Sequence, residues 1–181
     1  MVLDLTRALE ELIGAVPGAC RELSHIDSSR LVVGLTRGRK RSSDGLLAKL
    51  VPLVESGELD WGGPLYAVLF CWPRFMTLNY RRKLEIVFHE LYHVGPAFDG
   101  SFREFPGRGK LHGTGCDYEA LCAGLVERAL PALERTGKAE FLRISPRTAR
   151  ARFGGMCGSF FRLNDSGSGV LCAQTRGPQP L

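Results

Sequence analysis

The stretch LNYRRKLEIVFHELYHVG, Leu78 to Gly95, decides how the rest of the chain is read. Within it Leu84, Val87, Phe88, Leu91 and Val94 recur at steps of three and four, the spacing that lays apolar side chains along one side of a helix. Thr77 or Asn79 offers an N-cap side chain, and Gly95-Pro96 supplies the stop. Arg81, Arg82 and Lys83 stand near the amino end, where the helix dipole disfavours cations. Beside the apolar stripe lies His89-Glu90-Leu91-Tyr92-His93, an H-E-x-x-H motif. Residues four apart sit one turn above each other, so His89 and His93 can hold one metal ion, and neutral imidazole suits Zn²⁺. Glu90 projects next to the pair, where a carboxylate can take a proton from water on the metal. The plain alternative is a helix with two partly exposed histidines and a solvated glutamate. Against it stand the amphipathic setting, the helix stop directly after His93, and the use of two of only four histidines in the chain.

Outward from this helix, Leu65 to Trp72 (LYAVLFCW) is a dense apolar run ended by Pro73 and predicts a strand. Arg30 to Thr36 (RLVVGLT) predicts another, followed by the basic loop RGRKRSSDG. Leu46 to Val54 stays ambiguous between helix and strand, because Pro52 argues against a central strand and the periodicity does not decide. Residues 4 to 16 predict an amphipathic helix ended by Pro17-Gly18. Residues 94 to 111 read as a long loop anchored by Phe98, Phe102 and Phe105, with a turn at Asp99-Gly100. Asp99 is also a candidate partner for a ligand histidine. Asp117 to Thr136 predicts a second helix, with Tyr118, Leu121, Cys122, Leu125, Val126 and Ala129 inward and a kink or break at Pro131. Phe160 to Leu163 and Val170 to Ala173 suggest a hairpin, and TRGPQPL a disordered end. The strand–helix–loop–helix order predicts an α+β fold: a small mixed or mainly antiparallel sheet carrying the 78–95 helix, with the second helix beside it. The expected organisation is a body over residues 1–140 and a basic extension over 141–181.

The 181 residues and a 44% hydrophobic fraction suit a globular chain, and no apolar run is long enough to span a membrane. The start MVLDLTRALEE lacks a basic and then apolar segment, so a cytoplasmic protein without a secretory signal is expected. Six cysteines without C-x-x-C spacing read as reduced, buried residues; Cys157 and Cys172, flanking the hairpin, are the alternative pair. The net charge of +5 is carried by residues 141–181, where six arginines face only Asp165. Such a segment suits an anionic partner such as nucleic acid, or simply a solvated face.

The run HELYHVGPAFDGSFREFPGRGKLHG, His89 to Gly113, resembles a family of metallopeptidases of bacteria and phages known mainly by motif and distantly SprT-like, and its helix looks like the active-site helix of the zincins. The resemblance covers residues 65 to 120 best. It implies a zincin-like sheet, an edge strand that pairs with the substrate backbone, and a third histidine downstream, for which His112 stands at the matching place. From the residues alone Asp117, Glu119 and Glu127 compete for that role, with His25 an outside candidate; without any metal, Asp117 also suits the N-cap of the second helix, Glu119 its first turn and Glu127 a solvated helix position.

Two functions follow. One is a zinc peptidase cleaving a peptide or protein substrate, with His89, His93 and His112 on the metal, Glu90 as general base, and Tyr118 or a loop arginine facing the oxyanion. The other is a non-catalytic zinc module that binds nucleic acid or a protein partner through basic segments.

Overall fold

A computed structural model describes residues 2–37, 46–53, 62–104, 115–163 and 170–179; side chains are described within these except at 115–117, 163 and 170–179. The chain runs β1 (Leu3–Asp4), α1 (Leu5–Ala19), β2 (Leu31–Thr36), β3 (Ala48–Pro52), β4 (Tyr66–Cys71), α2 (Arg74–Thr77), α3 (Tyr80–Tyr92), α4 (Gly115–Thr136), α5 (Pro146–Phe153), β5 (Met156–Leu163) and β6 (Val170–Gln179). The architecture is α+β, as the order of elements predicts. The sheet is mixed, in the order β1-β5-β2-β4-β3, with β6 paired to β5. β2 runs parallel to β4 and β5, and β1 parallel to β5; β3 on β4 and β6 on β5 are antiparallel.

β4 is buried at all six positions, which its unbroken apolar run requires. Its side chains alternate between two layers. Tyr66, Val68 and Phe70 join the main core with α1, α3 and α4, whereas Ala67 and Leu69 meet Val51 on the opposite face. On that second face Phe161 lies so close over Gly34 that a Cβ there would meet its ring at 2.3 Å, so glycine is what lets β2 pass beneath it.

The ambiguous segment is a strand, and among the described residues it lies at one edge of the sheet. Cys71 N donates to Leu47 O and Leu53 N to Leu65 O, so odd-numbered residues of β3 turn their main-chain groups toward β4. The main-chain groups of Ala48, Leu50 and Pro52 therefore point away from β4, and the missing N–H of Pro52 costs no ladder bond.

α1 buries Leu5, Leu9, Leu12, Ile13 and Val16 and is capped by Asp4, which accepts from Arg7 N at 3.1 Å. It runs on through Pro17-Gly18 to Ala19, because only the last turn meets the proline and Cys20 N still closes on Val16 O. α4 likewise continues through Pro131 as one helix. The hairpin beyond residue 140 forms and is longer than expected: β6 reaches Gln179, so TRGPQ, expected to be disordered, is strand paired with β5. β5 itself lies within the sheet between β1 and β2 in strand order, and Leu142, Ala149, Met156 and Phe160 join the main core. Among the described residues no helix is long and apolar enough to cross a membrane.

Candidate metal centre

α3 carries the motif. Asn79 Oδ1 accepts from Arg82 N at 2.8 Å and starts the helix, and Leu84, Val87, Phe88, Leu91 and Val94 are all buried. Arg81 and Arg82, unfavourable at this end of a helix, are answered by carboxylates: Arg81 pairs with Glu85 and Glu127, and Arg82 with Glu85 and Glu119. Lys83 is turned inward. Its Nζ donates to Leu142 O at 2.9 Å and Ile144 O at 3.1 Å, and burial lowers its pKa to about 8. That contact fastens the 140–144 turn to the motif helix.

His89 and His93 meet as the i, i+4 spacing predicts. Their Nε2 atoms are 3.2 Å apart, with ring planes at 80°. One imidazole donating to the other gives this distance in the absence of metal. It is also the separation of two ligands on one ion: at about 2.05 Å per Zn–N bond they subtend roughly 100°, close to tetrahedral. His93 is buried and His89 half-buried.

Glu90 lies in the interior, 7% exposed, facing β3. Its Oε2 accepts from Leu50 N at 2.8 Å. Burial raises its pKa to about 7, against the opposing pull of the Leu50 amide and the Lys49 charge. Such a carboxyl exchanges its proton near neutrality, and a divalent cation on the adjacent histidines would draw it back toward the ionised form.

Tyr118 of α4 holds the two imidazoles. Its ring lies nearly parallel to His93, with centroids 5.3 Å apart and planes at 20°, and meets His89 edge-on at 4.6 Å. Where α3 tightens at its end, His93 N closes on Glu90 O, and the preceding carbonyl, of His89, accepts from Tyr118 Oη at 2.9 Å. The hydroxyl expected to face an oxyanion thus serves the helix main chain. Arg103 finishes the same end: its N donates to His93 O at 2.8 Å, its Nε to Tyr92 O at 2.9 Å, and its guanidinium lies 4.2 Å over the Tyr92 ring. A cation over these carbonyls complements the helix dipole. Arg103 is thus a loop arginine beside the motif, although nothing in the spacing of the loop singles it out.

None of the other candidates whose side chain is described joins the pair in a metal-holding cluster. His112 and the side chain of Asp117 lie outside the described residues. Glu119 and Glu127 are exposed and bonded to Arg82 and Arg81, near the amino end of α3. His25 sits against the Glu22 and Val94 main chain, where burial lowers its pKa. Asp99 takes the turn role: its carboxylate accepts from Ser101 N at 3.0 Å, and Gly100 beside it has φ 90°. Among the described residues no cluster of three or more His, Cys, Asp or Glu side chains is arranged to hold a metal. Cys20, Cys71, Cys122 and Cys157 are free thiols. Cys172 stands opposite Arg162, five residues along β5 from Cys157 and about 16 Å away, so the alternative disulfide is ruled out by register.

No protein-family model, no curated protein and no solved structure matches the chain.

Proposed function

We propose that the chain is a zinc-dependent peptidase of zincin type, with His89, His93 and His112 as metal ligands and Glu90 as general base. The observation that carries this reading is the pair of Nε2 atoms 3.2 Å apart on one helix turn, with the intervening glutamate buried rather than solvated. A solvated Glu90 would have favoured the plain helix. Zn²⁺ bound there would supply a Lewis acid that acidifies water and polarises a carbonyl. Glu90, with Oε2 held by Leu50, presents its other oxygen to take the proton of an attacking water. It then gives that proton to the departing amine as the C–N bond breaks. Tyr118 keeps the imidazoles oriented, and the outward row of β3 offers main-chain groups for an extended peptide to pair with. Buried free thiols suit a reducing compartment such as the cytoplasm. The test is metal analysis of purified protein together with peptide-library hydrolysis. Stoichiometric zinc with cleavage that disappears on adding chelator is expected; cleavage of no peptide by the zinc-loaded protein overturns the reading.

A second reading, a zinc module that binds nucleic acid, draws on one observation: Arg147, Arg150 and Arg152 are all exposed on the eight-residue α5. Arg143, by contrast, is spent within the fold on Glu134, Glu140 and the Tyr80 ring.

A further inference from the structure

We infer that the main-chain amide of Leu50 is the positioning donor for Glu90, so that the edge strand β3 itself aims the general base and sets the level at which a bound peptide is attacked. The inference rests on the peptidase reading and adds to it a specific main-chain group and a register.

The pairing of β3 makes the argument. Leu47 O and Leu53 N point to β4, so the N–H groups of Ala48 and Leu50 point away from it, on the outermost strand of the sheet order. An outward amide on an edge strand ordinarily meets solvent or an added strand. The Leu50 amide instead meets Glu90 Oε2 at 2.8 Å, from a residue forty positions later on a different element. No nearby sequence relation produces that contact; it exists because α3 packs across β3 and turns Glu90 toward it. A buried carboxylate needs such a donor, since ionised oxygen without one is costly in the interior. Once Oε2 is held, the carboxyl plane can no longer turn freely, and Oε1 is left in one orientation for proton transfer. Pre-orientation of this kind is where an enzyme gains rate, and a displacement of about 1 Å forfeits on the order of 100-fold.

The same contact constrains the substrate. A peptide laid along β3 finds the Leu50 amide already engaged. It can pair with the Ala48 N–H and C=O and with the Leu50 C=O, while Pro52 contributes only a carbonyl. Glu90 reaches the edge beside Leu50, so the peptide bond within reach of its free oxygen is the one running past Leu50.

Leu50→Pro removes this amide without removing a ladder bond, in the same outward row that already holds Pro52. Leu50→Ala is its control, because it loses the buried side chain and keeps the N–H. In the zinc-loaded protein, Leu50→Pro is expected to lower kcat about 100-fold relative to Leu50→Ala, with KM within about threefold and zinc content unchanged. A kcat within about threefold of the control, zinc retained, overturns the inference. An arm independent of activity is amide exchange by NMR: Glu90→Ala should speed exchange at Leu50 by about tenfold or more while Lys49 and Val51, which face β4, stay protected. Equal Leu50 exchange in wild type and Glu90→Ala also overturns it, and this arm stands if the proline variant does not fold. Zinc-loaded wild type that cleaves no peptide defeats the peptidase reading, and with it the part of Leu50 in aiming a general base. Leu50 exchange then still shows whether the amide holds Glu90.

Discussion

Tyr118 stacks on His93 with ring centroids 5.3 Å apart and planes 20° from parallel. The contact links α4 to the motif helix and fixes an imidazole whose orientation any metal site would need. Tyr118→Phe keeps the ring and loses the bond to His89 O. It should cost about 1 kcal/mol of stability in chemical denaturation and leave zinc affinity within a few-fold. Tyr118→Leu removes the stacking surface as well and should weaken zinc binding by about 10- to 100-fold in competition with a chelator. Equal zinc affinity in all three proteins would mean the histidines orient themselves.

Glu90→Gln should retain zinc and lose hydrolysis by at least about 100-fold. The amide oxygen of glutamine can still accept from Leu50 N, so the fold and the β3 contact should persist, but the group cannot take a proton near neutral pH. Full activity with zinc bound would remove Glu90 from the chemistry.

How much of this is legible in the sequence depends on how local each cause is. β4 and α3 announce themselves because their signals, an unbroken apolar run and a three-four spacing, lie within the segment itself. β3 does not: Pro52 reads as a strand breaker until the pairing parity shows that its missing N–H faces outward. The extent of β6 escapes the sequence because Gly177 and Pro178 weigh against a strand, while its ladder is supplied by β5. Lys83, in the run Arg81-Arg82-Lys83, reads as one more solvated cation; its acceptors are carbonyls about sixty residues away. The Leu50 amide is further out of reach, since a main-chain donor has no residue type to betray it. The histidine pair is readable because a helix fixes the i, i+4 relation regardless of what packs around it.

Lys83 gives a pH signature. Its pKa falls from 10.5 to about 8 on folding, through burial. Between these values the unfolded chain binds more protons than the folded one, so this group makes folding stability rise with pH from about 8 to 10.5. Below about 8 the buried ammonium exerts its full cost. Glu134 and Glu140, near the acceptor carbonyls, are already engaged by Arg143. Unfolding free energies of wild type and Lys83→Met, compared at about pH 7.5 and about pH 9.5 to straddle the lower edge of this window, should show the wild type gaining relative to the variant. Parallel curves would mean that Lys83 is charged to the same extent in both states.

If α5 touches nucleic acid, replacing Arg147, Arg150 and Arg152 by alanine should reduce the slope of log affinity against log salt by about 0.9 for each phosphate no longer neutralised on duplex DNA. The exposed side chains make the triple variant mild for folding. Binding of wild type and variant with the same slope would leave these arginines as a solvated face.

The third ligand decides between a catalytic site and a pair of bonded histidines. Glu119 and Glu127 are committed to Arg82 and Arg81 and are exposed, so their removal should cost only surface ion pairs, within about 1 kcal/mol each. His112 has no competing role visible in its sequence surroundings, between Leu111 and Gly113. His112→Ala should therefore lower zinc occupancy severely while leaving the thermal unfolding of the metal-free protein unchanged. Asp117, expected to cap the second helix, lies inside it, since α4 already starts at Gly115; Asp117→Ala should do the reverse, removing a carboxylate that suits the dipole of the first turn and keeping zinc. The discriminating measurement is zinc content by elemental analysis after dialysis, taken alongside melting of the chelated proteins. Full zinc in His112→Ala, with depletion in Asp117→Ala or Glu119→Ala, would move the ligand to the acidic side chain and replace the three-histidine set by two histidines and a carboxylate.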